Sequence, residues 1–259
     1  SGYSGKVDIA GVTLRGEFGE APEESTLLIE FIGDSITHGC GLGSPNYSDG
    51  TNDGTLTYAF LAAKELGADY TIMANGGMGV KWGGDYDGVN LNRSMKKYPF
   101  LNDTMRGTLA YEGYKRPADL VVIGLSTNDN YRFLLQYNAD RLAFRASNTS
   151  VTDEEVAAYM ETWIANNPTA DESKKATAEL NYKAKNSLYT LEEVDAHSAE
   201  FTVAKLAELG LELEALIAEI EKNHGADVPI ILARGMMEKP EGDPDRELYK
   251  LIVAMRKYG

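Results

Sequence analysis

Three short polar segments carry the residues that could do chemistry, and each comes directly after an apolar run. They are Asp34-Ser35 after residues 27–32, Gly76-Gly77 after residues 70–74, and Asn128 after residues 120–125. A serine hydroxyl can attack an acyl carbon, and a glycine N–H or an asparagine amide can donate to the oxygen that becomes negative. Together the three segments indicate acyl transfer through a serine nucleophile.

The apolar runs have the pattern of strands buried on both faces of a parallel sheet, because they do not alternate with polar residues. There are four of them, at Leu27–Ile32, Tyr70–Ala74, Leu120–Leu125 and Val228–Ala233. Helical patterns at residues 55–66, with Asp53 as N-cap and Gly67 as stop, and at residues 244–256 alternate with them. This order predicts an α/β fold, a three-layer α/β/α sandwich around a central parallel sheet. Since the carboxyl ends of parallel strands meet at one edge, the three polar segments should lie together there.

A long acidic insert is expected between the third and fourth strands, at residues 131–225, and most of it should be helical. One apolar stripe recurs at three- and four-residue steps, at Leu206, Leu209, Leu213, Leu216, Ile217 and Ile220. Thr152 and the three acids after it predict a helix start, since acids are favoured near the positive end of the helix dipole. We expect this insert to be a helical layer packed on the sheet edge rather than a partner-binding helix.

The three polar segments resemble the conserved blocks of the SGNH (GDSL-like) hydrolase superfamily. Residues 29–37, Ile-Glu-Phe-Ile-Gly-Asp-Ser-Ile-Thr, are similar to its first block, Gly76-Gly77-Met78-Gly79 to the second, and residues 125–129 to the third. The resemblance implies a flavodoxin-like strand order, with Ser35 as nucleophile and backbone donor, Asp34 as its supporting neighbour, and Gly77 and Asn128 as further oxyanion donors. Ser126 stands where the family usually has glycine.

The first block looks most like that of the family two carbohydrate esterases, which are secreted sugar deacetylases with a small β-domain ahead of the hydrolase domain. That resemblance implies that residues 1–24 are the tail of such a β-domain or a linker, and that residues 25–259 form the hydrolase domain. It also implies an extracellular protein acting on an acetylated carbohydrate. Trp82 and Tyr131 lie just beyond the second and third blocks, where aromatic side chains could line a cleft for a sugar.

The histidine that serves as general base in the superfamily is not evident. Its Asp-x-x-His block has no counterpart, because Arg246 stands three residues after Asp243 and Leu248 three after Asp245. His38, His197 and His224 have unsuitable positions or spacing. We therefore expect a trimmed or partial chain that lacks the fifth strand and the base, and that has low activity by itself.

Composition argues against several other classes of protein. The chain of 259 residues has 40 acidic and 25 basic side chains, and this formal charge of −15 argues against a nucleic-acid partner. No apolar run approaches the roughly 20 residues of a membrane span. One cysteine and three histidines make a zinc cluster improbable, and no metal or cofactor is expected. The alternatives are a catalytically silent carbohydrate-binding protein and a lipid or thioester acyl hydrolase on the same fold; the sequence leaves the oligomeric state open.

Overall fold

The computed structural model describes residues 23–42, 52–74, 76–82, 116–125 and 127–232, together with Thr13 and residues 15–17 and 19–20. Four strands and six α-helices lie in these ranges. In chain order they are β1 (Leu28–Gly33), α1 (Ser35–His38), α2 (Tyr58–Leu66), β2 (Asp69–Ala74), β3 (Leu120–Gly124), α3 (Thr127–Ser147), α4 (Asp153–Asn166), α5 (Glu172–Lys185), α6 (Leu191–His224) and β4 (Ile230–Leu232). Among these residues, no helix combines the length and the apolar character that a membrane crossing requires.

The four strands form one parallel sheet in the order β2-β1-β3-β4. This is the flavodoxin-like order, and each strand lies within two residues of its predicted bounds. Strand β1 is central, with Gly33 paired to Ala74 of β2 and to Gly124 of β3. The three strands therefore end level with one another. The predicted helix at residues 244–256 and the expectation about a fifth strand lie outside the described residues.

Helix α2 covers one face of the sheet. Its buried Ala59 and Ala63 pack against Ile29 and Phe31 of β1 and against Val122 of β3. Alanine lets a helix approach a sheet closely, so the two layers meet without a gap. The predicted helix at residues 55–66 was only partly right. Asp53 caps a separate 3-10 turn at Gly54–Leu56, Thr57 caps α2, and Gly67 ends it with a φ of 60° as expected.

The end of α6 covers the opposite face. Residues alternate in direction along a strand, so Glu30 points away from the side occupied by Ile29 and Phe31. The Glu30 carboxylate meets His224, the last residue of α6, with Oε2 2.8 Å from Nε2, and both side chains are fully buried. Helices thus lie on both faces, and the three-layer α/β/α sandwich is confirmed. The predicted stripe is also found, with buried side chains at Leu209, Leu213, Leu216 and Ile220.

His224 ends α6, where the helix dipole would favour a positive charge. Its Nδ1 accepts a hydrogen bond from the backbone N–H of Ala118, 2.9 Å away. A ring nitrogen that accepts carries no proton, so the ring is neutral and its Nε2–H donates to Glu30. The histidine joins β1, the segment before β3 and the end of α6, and its position follows from this bonding rather than from a positive charge.

The described residues divide into two compact units. One contains the sheet, with the described residues up to Arg132 and from Leu209 onward, and the other is Phe133–Glu208. The second unit is helical, and α4 begins with a reciprocal capping box between Thr152 and Glu155. The helical region was predicted at residues 131–225, whereas α3 already starts at Thr127, inside the third polar segment. The predicted domain boundary at residue 24 stays a prediction, since most of residues 1–24 lie outside the described residues.

We predict that His224→Ala destabilises the protein far more than Glu30→Gln does. The alanine removes the acceptor of the Ala118 N–H and the Nε2–H that donates to the buried Glu30 carboxylate, and breaking a buried pair in this way costs about 3–5 kcal/mol. Glutamine can still accept from the Nε2–H of His224, so its cost should be about 1 kcal/mol. Urea unfolding of both variants measures the difference, and equal losses of unfolding free energy would refute the neutral, hydrogen-bonded arrangement.

Candidate active site

Ser35 lies in the tight turn that follows the central strand. Asp34 is the N-cap of α1, and its Oδ1 accepts the Ile36 N–H at 2.9 Å. The four-residue helix ends at Gly39, which has a φ of 82° and donates its N–H to the carbonyls of Ser35 and Ile36. Asp34 is buried and Ser35 is half-buried. Ser35 is therefore partly exposed to solvent, and the turn that contains it is fixed by the Asp34 cap and by the Gly39 N–H.

Two glycines let this turn pack against the strand ends. A Cβ on Gly33 would lie 1.9 Å from Thr37 Oγ1, and a Cβ on Gly124 would lie 2.4 Å from Tyr58 OH. The Thr37 and Tyr58 hydroxyl groups are themselves hydrogen-bonded, with 2.9 Å between their oxygens. Neither hydroxyl would fit if β1 and β3 ended in residues with side chains. The absence of a Cβ at these positions thus fixes where Ser35 sits relative to the sheet.

The second polar segment follows β2 and is held by Asp129. The backbone N–H of Val80 donates to Oδ2 of this aspartate, and those of Lys81 and Trp82 donate to Oδ1, each at 2.8 Å. A Cβ on Gly79 would lie 2.8 Å from Asp129 Oδ2 and 2.7 Å from the Trp82 carbonyl oxygen. Glycine is required there because the loop wraps so closely around the carboxylate. Gly77, at a φ of 77°, begins this wrapped loop.

Asn128 joins the second and third segments directly. It is the second residue of α3, and its Nδ2 donates to the Met78 carbonyl oxygen at 2.7 Å. An amide nitrogen carries two protons. One is committed to Met78, and the other can be offered to a substrate oxygen. The structure therefore brings Asn128 to the loop that contains Gly77, at the same edge of the sheet as Ser35.

Burial has the largest effect on the pKa values of the two carboxyl groups at this edge of the sheet. Burial raises the pKa of Asp129 to about 6, against the opposing effect of the three N–H donors. Burial also raises the pKa of Asp34, and the Ile36 N–H again opposes the rise. The sequence analysis assigned no role to Asp129. Its position directly after Asn128, just beyond the end of a strand, was the feature that could have indicated one. Both carboxylates act on backbone groups and so position the loops around Ser35 and Gly77.

The two predicted sugar-contacting aromatics lie beside these loops. Trp82 is half-buried, its backbone N–H donates to Asp129 Oδ1, and the Lys81 ammonium is 5.7 Å from the centroid of its ring. Tyr131 is exposed and lies one turn into α3. Their stacking on a sugar stays a prediction, as do the catalytic roles of Ser35, Gly77 and Asn128.

None of the three histidines is hydrogen-bonded to Ser35. Burial lowers the pKa of His38, and its Nδ1 lies 3.3 Å from the Cys40 sulfur. His197 belongs to the second unit, where Nε2 is 2.7 Å from Asp140 Oδ2 and the ring stacks on Phe144. Both ring nitrogens of His224 are occupied in the core. Among the described residues, no three His, Cys, Asp or Glu side chains are grouped to hold a metal ion.

The fold is a parallel sheet with serine, glycine and asparagine at three adjacent strand ends, as predicted for a hydrolase of the serine acyl-transfer class. The model of the GDSL-like lipase/acylhydrolase family matches residues 29–210, which is more than two thirds of the chain. The chain belongs to this family of ester hydrolases. The expected resemblance to SGNH (GDSL-like) hydrolases is thereby confirmed.

Several solved structures of carbohydrate esterases are similar to the chain at low identity. A family two carbohydrate esterase from Clostridium thermocellum, in complex with cellohexaose, has 18% identity, a TM-score of 0.41, and coverage of 93% of this chain and 66% of its own. The acetyl xylan esterase Est2A from Butyrivibrio proteoclasticus has 17% identity, a TM-score of 0.40, and coverage of 93% and 66%. The chain thus spans about two thirds of the length of these structures. A search of curated proteins finds no match.

We predict that the stability of the native protein falls between pH 4 and pH 7 through Asp129. Its pKa is about 6 in the folded protein and returns to 3.8 on unfolding. Because Asp129 holds its proton more tightly in the folded state, protonated Asp129 stabilises the fold. This stabilisation is complete below pH 3.8 and is lost as the pH rises through 6. Two pKa units correspond to roughly 3 kcal/mol.

The measurement is urea unfolding at several pH values for the wild type and for Asp129→Asn, which has no titrating group at this position. The variant should be less stable at pH 4, because its NH₂ group faces the N–H donors of the loop. The gap between the two proteins should then narrow as pH rises toward 7. A gap that stays constant from pH 4 to pH 7 would show that Asp129 does not titrate in this range.

Proposed function

We propose that this chain is a serine esterase domain that removes O-acetyl or other short acyl groups from a carbohydrate. The observation that carries the proposal is the hydrogen bond from Asn128 to Met78, because it holds an uncharged donor against the glycine loop beside the serine turn. The carbohydrate part rests on the similarity of residues 29–37 to family two carbohydrate esterases. A polymeric substrate of this kind would place the protein outside the cell.

The proposed reaction begins with attack of Ser35 Oγ on the ester carbonyl carbon. As the C–O bond forms, the carbonyl oxygen becomes negative and accepts hydrogen bonds from the N–H groups of Ser35 and Gly77 and from Asn128 Nδ2. The Ser35 N–H is in the first turn of α1, so the helix itself supplies no acceptor for it. Collapse of this intermediate expels the sugar alkoxide, which takes up the serine proton, and water then hydrolyses the acyl-serine.

A base must carry the serine proton, and we propose that none of the three histidines of this chain does so. His197 and His224 are engaged elsewhere, and His38 has no hydrogen bond to Ser35. A positioned general base contributes about 10²- to 10⁴-fold to the rate of such reactions. The chain of residues 1–259 should therefore hydrolyse esters slowly by itself.

We predict that free imidazole restores turnover that depends on Ser35. Hydrolysis of p-nitrophenyl acetate by the wild type should be slow without imidazole and should rise with added imidazole beyond the rate of Ser35→Ala. That variant, measured under the same conditions, subtracts the reaction of imidazole with the ester. If the wild type is fast without imidazole, and His38→Ala or His197→Ala abolishes its activity, the proposal of a missing base is wrong.

We predict that Asn128→Ala lowers the imidazole-dependent rate by about 10²- to 10³-fold, the usual effect of removing one oxyanion donor. Asn138→Ala is the matched control, because this asparagine is exposed and lies further along the same helix. It should leave the rate unchanged. An Asn128→Ala variant as active as this control would exclude the oxyanion role.

A catalytically silent carbohydrate-binding protein is the second candidate, and the placement of the histidines favours it. It would bind an acetylated glycan and show no turnover dependent on Ser35 even with imidazole.

A series of p-nitrophenyl esters of increasing acyl length separates a deacetylase from a lipid or thioester hydrolase. A deacetylase should lose activity as the chain grows beyond a few carbons.

A further inference from the structure

We propose that the second unit carries a separate binding cleft for a neutral oligosaccharide, between α4 and α5. The cleft has a volume of about 470 Å³, within the range of small-molecule sites. Two rows of side chains line it, and each row has one residue every four positions. One row is Tyr159 and Trp163 on α4 with Asn167, the residue that caps its C-terminus, and the other is Ser173, Thr177 and Asn181 on α5.

The aromatic rings of the cleft are presented in a fixed way. Residues four apart lie on one face of a helix, so Tyr159 and Trp163 are neighbours along α4. Tyr159 stacks on Tyr182 of α5, with 4.1 Å between ring centroids and 5° between planes. Trp163 is half-buried and forms the aromatic part of the cleft next to this stack. An apolar ring face of this kind suits the C–H face of a sugar ring.

The polar groups of the cleft match hydroxyl groups, which both donate and accept. Asn167 Nδ2 donates to the Trp163 carbonyl at 2.8 Å, and this leaves its Oδ1 as an acceptor. Thr177 Oγ1 donates to the Ser173 carbonyl at 2.9 Å and keeps its lone pairs for a ligand. The Asn181 amide is exposed and has no partner among the described residues, so it can donate and accept.

The charge of the lining selects a neutral ligand. Residues 133–208 contain 13 acidic and 7 basic side chains, yet the cleft has no carboxylate in its wall. The one cation in its wall is Lys174, whose Nζ lies 3.6 Å from Asp171 Oδ2. This carboxylate reduces the attraction of Lys174 for an anion. A cation would find no carboxylate oxygens in the wall of the cleft, and an anion would be repelled by the acidic surface around it. An uncharged, hydroxyl-rich molecule fits both the walls and the surroundings.

The test uses Trp163 as a local reporter. The chain has two tryptophans, so Trp82→Phe leaves Trp163 as the only one. Xylohexaose and cellohexaose are the probes, added up to millimolar concentrations while tryptophan emission is recorded. We expect a saturable change in emission, which reports the helical cleft and not the serine site. The readout needs no turnover, so failure of the proposed esterase function would leave it unaffected.

Two pairs of variants in the Trp82→Phe background decide the assignment. Thr177→Ala and Asn181→Ala should weaken binding roughly 3- to 10-fold, the effect of losing one hydrogen bond. Thr162→Ala and Asn166→Ala are the controls, because both residues are exposed on α4 outside the cleft, and Thr162 also donates to the carbonyl four residues earlier. They should bind as tightly as the parent. No change in emission with either probe, or equal weakening in all four variants, would overturn the proposal.

Discussion

The candidate active site depends on one buried carboxylate. Asp129 binds three successive backbone N–H groups, of Val80, Lys81 and Trp82, and thereby closes the loop after β2 around the start of α3. Without it, the buried Val80 N–H would lack an acceptor, at a cost of about 1–3 kcal/mol, and the half-buried N–H groups of Lys81 and Trp82 would lose theirs. Asn128 lies next to it in the chain and reaches the same loop at Met78. The donor proposed for catalysis is therefore positioned by a neighbour that need not contact substrate.

Close packing explains three glycines near the strand ends. Gly33, Gly79 and Gly124 each occupy a position where a Cβ would lie within 3 Å of another group. The turn, the second loop and the two strand ends are packed so closely that only backbone fits between them. Close packing of this kind limits the number of arrangements the three polar segments can adopt. It holds Ser35 and Asn128 on rigid elements, as a site for transition-state stabilisation requires.

The parts of the fold that could be predicted from sequence are those set by local pattern. The four strands were visible because uninterrupted apolar runs are required when both faces of a sheet are covered. The stripe of α6 and the cap at Thr152 were visible because helical periodicity and capping involve neighbours in the chain. The split at Thr57 was missed, since both Asp53 and Thr57 are good caps and only the three-dimensional position of the loop selects between them.

From sequence, candidate site residues could be proposed only where a residue is recognisable by itself, and their catalytic roles stay predictions. Ser35, Gly77 and Asn128 are recognisable by type and position after a strand. Roles that need a distant partner were not recognisable: Asp129 binds residues 47–49 positions away, and Glu30 binds a histidine 194 positions away. The helical cleft was missed for the same reason, because its walls belong to two helices and no motif links them.

The pair formed by Glu30 and His224 has a consequence for biosynthesis. Strand β1 leaves the ribosome early, whereas His224, which binds its Glu30 carboxylate, is made only near the end of the described chain. Contacts between residues so far apart in sequence form late and slow the folding of a chain. During translation the contact between β1 and the end of α6 can therefore form only after α6 has been made. The hydrogen bond between His224 and Glu30 thus joins the first strand of the sheet to a helix made about two hundred residues later.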